Sequence, residues 1–283
     1  MPALRPLADY VASLRLRYIA DGTISTYSKH LRRYFDFIGD RDGPRDELIR
    51  EFLEGLTCRG TTKRAYWQSI SAFHSWHGDR LEIHPRFQPA RKTPPPEQAE
   101  IARRLRLLPS DTWVRRRDRT CLILLYLTGA RLGEISGLKW EHVGAASISI
   151  YMPKVSQWRD APLTPLTRAV LDAWRPESHP VWVFPSLTNG YRTKRVLPKP
   201  MCYVHAARFW RSHQKDLGEK PIPVHKLRHA FSSHSHANAA LSESEIQRQL
   251  GHSTDVMTKW YISTDSTVID KKISGWHDQL DLI

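Results

Sequence analysis

The chain has 283 residues, and its lysines and arginines exceed its aspartates and glutamates by 14. This excess favours a polyanionic partner, nucleic acid before an anionic membrane surface, over a basic surface with no partner. Three widely spaced cysteines exclude a disulfide framework and a zinc ribbon. The longest apolar run, at 121–127, is too short to cross a bilayer, and residues 1–18 lack the apolar segment of a secretory signal. We therefore expect a cytoplasmic protein of two domains with no membrane partner.

Residues 1–88 have the pattern of a small, all-helical domain. Apolar residues recur at helical spacing within 23–40 and again within 61–79, where Gly78 is placed to end the helix. Several cations fall off these apolar stripes, and the sequence leaves open whether they contact DNA phosphates or are only solvated. They are Lys29, Arg32, Arg33, Lys63 and Arg64.

A proline-rich linker is expected at 89–97, and residues 98–283 form a second domain of mixed pattern. Residues 118–127 are apolar nearly all round and predict a buried helix that breaks at Thr128-Gly129. The stretch SISIYM (147–152) predicts a strand, and residues 159–165 could return as its antiparallel partner. The pattern of 181–186 is ambiguous. The expected fold class is mainly α, with a small antiparallel β-sheet in an α+β second domain.

The stretch TGARLGE (128–134) places an arginine directly after the break that ends the buried helix. Glu134 lies three residues beyond Arg131, so the two can share a helix face and the carboxylate can hold the guanidinium. Alone, such a pair is more often a surface ion pair than a functional group.

A second cluster, VHKLRHAFSSHSH (224–236), places His225, Arg228 and His229 on one side of a predicted helix. Four histidines in so short a stretch first suggest a metal site. However, the pattern lacks the glutamate of His-Glu-x-x-His, and no cysteine or aspartate follows at ligand spacing. We therefore expect no metal here.

In a third stretch, LGHSTDVMTKWYI (250–262), His252 and Tyr261 frame one short predicted helix. The helix before it, within 241–251, has a capping box of Ser242 and Glu245 and ends at Gly251. A tyrosine near a helix end is more often a core residue than a nucleophile.

Taken together, these groups and Lys154 of the predicted hairpin are the parts that phosphoryl transfer without a metal needs. The transition state spreads negative charge over the non-bridging oxygens, which two guanidinium groups can clamp. A tyrosine can attack phosphorus when nearby cations favour its phenolate. We therefore expect no cofactor.

The sequence resembles the tyrosine recombinase (phage integrase) family, which shares its catalytic domain with type IB topoisomerases. TGARLGE matches the family's first-arginine motif, HKLRH its His-x-x-Arg motif, and LGHSTDVMTKWY its LGH…Y motif. YMPKVSQWRDAPL matches the lysine-bearing hairpin less tightly. Because helical pattern begins near Pro6, we expect the simple, Cre- or Xer-like two-domain type with no further N-terminal domain.

The resemblance implies a helical core-binding (SAM-like) domain at 1–88 and a catalytic domain at 98–283, which close around DNA as a clamp. It implies a site-specific recombinase that cleaves and rejoins duplex DNA through a 3′-phosphotyrosyl intermediate and a four-way junction, without metal or ATP. Its partners would be double-stranded DNA carrying a specific site and three further copies of itself, in a homotetramer on paired sites. On DNA it would be associated with the nucleoid.

The resemblance also implies a role for each motif residue. Arg131 and Arg228 would bind the scissile phosphate, with Glu134 supporting them. Tyr261 would be the nucleophile, and His225 would accept or relay its proton. His252 would donate to a non-bridging oxygen, and Lys154 would protonate the leaving 5′ oxygen. Lys139 is kept as a weaker alternative for that last role, because Pro153 and Val155 flank Lys154 where glycine is common in the family.

Two other functions remain open at this point. A type IB topoisomerase would share the chemistry but relax supercoils without site preference. A DNA-binding protein with an inactive site would bind without forming a covalent link, although the intact set of motif residues argues against it.

The tail has an apolar stripe of Ile269, Ile273, Trp276, Leu280 and Ile283. It could pack on its own domain. The resemblance favours an exchange helix that docks on a neighbouring protomer, so that a chain truncated after Asp270 would remain folded.

Overall fold

The computed structural model describes residues 4–89, 93–188, 195–251 and 266–282. The chain divides into two compact units between Thr93 and Pro94, a boundary inside the predicted linker. Each unit has its own apolar core. Over the described residues, no helix is long and apolar enough to cross a membrane.

The described residues of the smaller unit form four helices. They are α1 (Leu4–Leu16), α2 (Asp21–Ile38), α3 (Arg45–Gly55) and α4 (Gly60–His77). The two helices expected from the sequence are present as α2 and α4. Leu31 and Tyr34 of α2 and Ile70 of α4 are fully buried in the shared core, and α4 ends at Gly78 in the left-handed conformation.

Where the structure describes it, the larger unit combines helices with two small sheets. Its helices are α5 (Gln98–Arg106), α6 (Trp113–Thr128), α7 (Leu132–Ser136), α8 (Pro165–Trp174), α9 (Val204–Asp216), α10 (His225–Asn238), α11 (Glu243–Leu250) and α12 (Ser266–His277). Its strands are β1 (Ser147–Met152), β2 (Gln157–Pro162), β3 (Pro185–Leu187) and β4 (Val196–Pro200). β1 pairs with β2 and β3 with β4, both antiparallel. The predicted fold class is confirmed.

Helix α6 runs through the core of the larger unit. Every residue from Cys121 to Ala130 is buried, and α8, α9 and α10 pack around the helix. The helix ends at Gly129, whose φ is 61°. A Cβ at this position would lie 2.3 Å from Cδ1 of Phe231, so both the backbone conformation and the packing require glycine.

The predicted hairpin is confirmed, with an earlier return than expected. Met152 pairs with Gln157 across a four-residue turn, so β2 begins two residues before Arg159. Ser156 takes a positive φ of 51° to close the turn. The inward face carries Ile148, Ile150 and Met152 from β1, and Arg159 and Ala161 from β2.

The ambiguous stretch 181–186 leads into β3, and its partner β4 was not predicted. β3 has only three described residues, and the pairing shifts register between Pro185 and Ser186. Such a short, proline-containing strand leaves no alternating pattern in the sequence.

In this single-chain structure α12, the predicted exchange helix, packs on its own domain. Ile269, Ile273 and Trp276 are buried to 1% exposure or less, and Leu280 to 6%. The Trp276 indole donates to Oε1 of Gln98 at 2.8 Å, and its ring contacts Tyr126 and Phe231. The apolar stripe therefore completes the core of the same chain. Ile283, the last residue of the predicted stripe, lies outside the described residues.

His277 of α12 should make the larger unit less stable as the pH falls. Its ring is fully buried beside Thr164, with Nδ1 2.9 Å from Oγ1. Burial lowers its pKa from 6.5 to about 3. Between these values the unfolded chain takes up a proton that the folded chain excludes. The free energy of unfolding should therefore decrease by up to about 1.4 kcal/mol per pH unit as the pH falls below 6.5.

Urea unfolding of the intact chain and of His277→Asn at pH 7.5 and pH 5 measures this effect. Asparagine can still bond with Thr164 but does not take up a proton, so the variant should lose less stability between the two pH values. An equal loss in both proteins would assign the acid sensitivity to other groups.

Candidate active site

Arg131 begins the site at the turn that follows α6. It is the N-cap residue of α7, and the Glu134 carboxylate accepts from both its backbone N–H (2.9 Å) and its guanidinium Nη1 (2.7 Å). The Glu134 side chain is only 3% exposed, whereas that of Arg131 is 44% exposed. The buried carboxylate therefore holds one side of a guanidinium group that remains open to solvent.

Arg228 of α10 reaches the same turn from the other side. Its Nη1 donates to the Gly129 carbonyl at 2.7 Å, and its Nη2 donates to the Leu250 carbonyl at 2.9 Å. Burial, and next the nearby Arg131 guanidinium, lower the pKa of Arg228 to about 10, with Glu134 acting in the opposite direction. The two predicted phosphate-binding arginines are therefore brought together.

A third arginine, Arg159 of β2, lies in this cluster and was not predicted to belong to the site. Its Nη1 donates to the Gln249 carbonyl at 2.6 Å and its Nη2 to the Thr128 carbonyl at 3.4 Å. Its pKa is lowered to about 10, chiefly by burial; Glu134 opposes this shift, and Arg228 and Arg131 contribute to it. The cluster thus joins three cations to one buried carboxylate. Such a surplus of positive charge suits an anion.

Lys154 lies exposed in the turn of the β1–β2 hairpin. The outer face of this hairpin is aromatic: Tyr151 and Trp158 are paired across the strands with ring centroids 5.2 Å apart, and His142 packs edge-on to Trp158 at 4.6 Å. The alternative lysine, Lys139, donates to the Glu141 carboxylate at 3.0 Å. Lys139 is thus held in a partly exposed ion pair.

The four histidines of 225–236 point to different places. His225 and His229 lie near each other on α10, with ring centroids 5.9 Å apart. His234 is buried between the Tyr126 hydroxyl (2.8 Å) and the Pro96 carbonyl (2.9 Å), and His236 contacts the Leu241 carbonyl. In the described ranges no three His, Cys, Asp or Glu side chains are grouped as metal ligands.

His252 and Tyr261 lie outside the described residues. The structure does describe the helix that leads to them. Ser242 and Glu245 form the predicted capping box of α11, and Gly251 ends the helix with φ at 63°. A Cβ on Gly251 would lie 2.2 Å from Sδ of Met152 and 3.1 Å from Cδ of Arg159. The end of α11 is therefore packed directly against the inner face of the hairpin.

The predicted DNA-contacting cations of the smaller unit differ in their surroundings. Arg33 donates to the Tyr66 hydroxyl at 3.2 Å, and half-buried Lys63 donates to the Glu54 carbonyl at 3.2 Å. Lys29 and Arg32 are exposed and line an open groove of about 500 Å³ between α1 and α2, and Arg64 is exposed on α4.

Comparison with known proteins places this arrangement in a family. Residues 105–267 match the model of the phage integrase family. The chain is 26% identical over 287 residues to the tyrosine recombinase XerC of Pseudomonas fluorescens (strain Pf0-1), with 92% of each chain covered.

Two solved structures share the fold. One is the pre-cleavage complex of the XerH site-specific recombinase with its difH substrate, with a TM-score of 0.62 and 17% identity over 89% of this chain and 79% of that one. The other is a lambda integrase tetramer bound to a Holliday junction, with a TM-score of 0.65 and 17% identity over 89% of this chain and 77% of that one. Since the family model spans more than half of the sequence, the chain belongs to the tyrosine recombinase (phage integrase) family.

Proposed function

We propose that this protein is a site-specific DNA recombinase that cuts and rejoins duplex DNA through a covalent tyrosine link. The observation that carries the proposal is the meeting of Arg131 and Arg228 at the Gly129 turn, beside a single buried carboxylate, Glu134. Two guanidinium groups of this kind neutralise the charge that develops on a phosphodiester under attack. Family membership and the similarity to XerC support the same function.

In the proposed reaction, the Tyr261 oxygen forms a bond to the scissile phosphorus while the bond from phosphorus to the 5′ oxygen breaks. His225 accepts or relays the tyrosine proton, and Lys154 gives a proton to the leaving 5′ oxygen. His252 donates to a non-bridging oxygen. The product is a 3′-phosphotyrosyl link and a free 5′ hydroxyl. A 5′ hydroxyl from a second duplex reverses these steps, so the energy of the phosphodiester is retained and no cofactor is consumed.

The partner in this proposal is double-stranded DNA with a recombination site. The lambda integrase neighbour is a tetramer on a Holliday junction, and XerH is bound to difH. We extend this arrangement to the present chain as a homotetramer on paired sites. Lys29, Arg32 and Arg64 of the smaller unit would add phosphate contacts, which position the protein without reading sequence. We extend the proposal to a cytoplasmic location, with which the three widely spaced cysteines agree.

Covalent capture tests the proposal. The substrate is a pool of nicked duplexes of randomised sequence, in which cleavage near the nick releases a short fragment and traps the protein. The intact chain should form a protein–DNA adduct in excess EDTA, because no step above uses a metal. Tyr261→Phe should bind the same DNA and form none. An adduct with the phenylalanine variant, or a requirement for added metal, would contradict the proposed mechanism.

Lys154→Ala should lower the cleavage rate by about 10²–10⁴-fold if Lys154 is the general acid. A substrate with a 5′-thiolate leaving group needs no proton, and it should recover most of that loss. Lys139→Ala is the matched control. Because Lys139 is paired with Glu141, the Lys139→Ala protein should cleave at nearly the normal rate. No recovery on the sulfur substrate would remove Lys154 from this role.

A further inference from the structure

We infer that Arg159 is a positioning residue that joins three parts of the active site through backbone carbonyl groups. The inference rests on the function proposed above. Arg159 is only 7% exposed and is the one charged residue on the inner face of the β1–β2 hairpin. Its guanidinium group donates to the Gln249 carbonyl near the end of α11 and to the Thr128 carbonyl at the end of α6.

Arg159 and Arg228 form two parallel bridges between the same two helix ends. Arg228 links the Gly129 carbonyl to the Leu250 carbonyl, each one residue beyond the carbonyl that Arg159 contacts. The last carbonyls of a helix have no partner within the helix and carry partial negative charge, so buried guanidinium groups suit them. The turn before Arg131 is thereby fixed to the helix that precedes His252.

Of these two arginines, only Arg159 also connects the helix ends to the hairpin. Arg228 belongs to α10, whereas Arg159 is the partner of Ile150 in the β1–β2 register. Beside it, Met152 and the Arg159 stem close against Gly251. Lys154 stands in the turn just beyond these contacts. The Arg159 bridge therefore sets where the turn, and with it the Lys154 ammonium, lies relative to Arg131 and Arg228.

Loss of the Arg159 bridge would change the position of the reacting groups as well as the local charge. A displacement of about 1 Å in a reacting group can cost on the order of 10²-fold in rate. Loss of the bridge should therefore slow cleavage in a folded protein that still binds DNA. The loss should be smaller where the leaving group needs no proton, because part of it arises from misplacement of Lys154.

The test compares Arg159→Met with the intact chain and with Arg119→Met. Arg119 is a matched control: it is a desolvated arginine of α6 that donates to a backbone carbonyl, that of Leu282, away from the hairpin. Single-turnover cleavage is measured at saturating DNA, below the melting temperature of each protein, on a duplex selected from the pool above. The normal 5′-oxygen substrate is compared with the 5′-thiolate one.

We expect Arg159→Met to cleave the 5′-oxygen substrate about 10²-fold more slowly than the intact chain. On the 5′-thiolate substrate, its cleavage rate should recover by at least tenfold. Arg119→Met should change neither rate by more than about threefold. If Arg159→Met does not fold, Arg159→Lys serves instead, since it keeps the charge but lacks the fork; a smaller loss with the same recovery is expected. No loss, or an equal loss on both substrates, would overturn the inference. Absence of an adduct with the intact chain would instead contradict the proposed function.

Discussion

Deletion of residues 271–283 is expected to unfold the larger unit. The deletion removes Ile273, Trp276, Leu280 and Leu282, all of which are buried in the main core. Truncation of one large core side chain costs about 2–5 kcal/mol, and a whole domain is stable by only about 5–15 kcal/mol. Losing four such side chains together therefore exceeds the stability available.

Two point variants of α12 compare the loss of a buried side chain with the loss of an exposed one. Trp276→Ala should destabilise the larger unit by about 3–5 kcal/mol, whereas Val268→Ala, at a side chain 45% exposed, should stay within about 0.5 kcal/mol. Thermal melts of the three altered chains and the intact chain provide the measurement. A truncated chain that melts like the intact protein would show that the tail is dispensable to its own domain, as an exchange helix would be.

Arg131→Ala and Arg228→Ala are expected to separate catalysis from stability. Each removes a guanidinium from the proposed phosphate site and should lower the cleavage rate by about 10²–10³-fold or more. Arg131 is half exposed, so its loss should change the melting temperature little. Arg228 also bridges the Gly129 and Leu250 carbonyls, so its loss should leave two buried carbonyls unpaired and lower the melting temperature as well.

Cleavage by nicked-duplex capture and thermal melting, run on the same preparations, check both expectations. Arg115→Ala is the control, because Arg115 forms an exposed ion pair with Asp111 at the far end of α6. Its replacement should alter neither the cleavage rate nor the melting temperature. Cleavage by Arg131→Ala within tenfold of the intact rate would contradict a phosphate-binding role for Arg131.

Local patterns in the sequence were sufficient for much of the fold. The Ser242–Glu245 capping box and the left-handed glycines at 78, 129 and 251 depend only on neighbouring residues, and the structure contains all of them. The Arg131–Glu134 contact is likewise an interaction across three positions of the chain. Such features follow from backbone chemistry that a short stretch of sequence encodes.

The features that the sequence did not predict depend on long-range contacts. Arg159 resembles any polar strand residue until Gln249 and Thr128 are brought beside it, from 90 and 31 positions away. The apolar stripe of α12 indicates that the helix is covered but not by which chain. In this structure Trp276 of α12 packs between Tyr126, Phe231 and Gln98 of the same core. The contacts of Arg33 with the Tyr66 hydroxyl and of Lys63 with the Glu54 carbonyl could not be predicted from the sequence either.

Mapping both ends of the trapped covalent bond tests the central claim most directly. After capture of the intact chain on the randomised nicked duplexes, mass spectrometry of the digested adduct identifies the attached residue, and sequencing identifies the attached DNA end. We expect a 3′-phosphoryl nucleotide on Tyr261 and DNA ends that share one sequence. Attachment to another residue, attachment through a 5′ phosphate, or ends scattered without sequence preference would contradict a site-specific tyrosine recombinase.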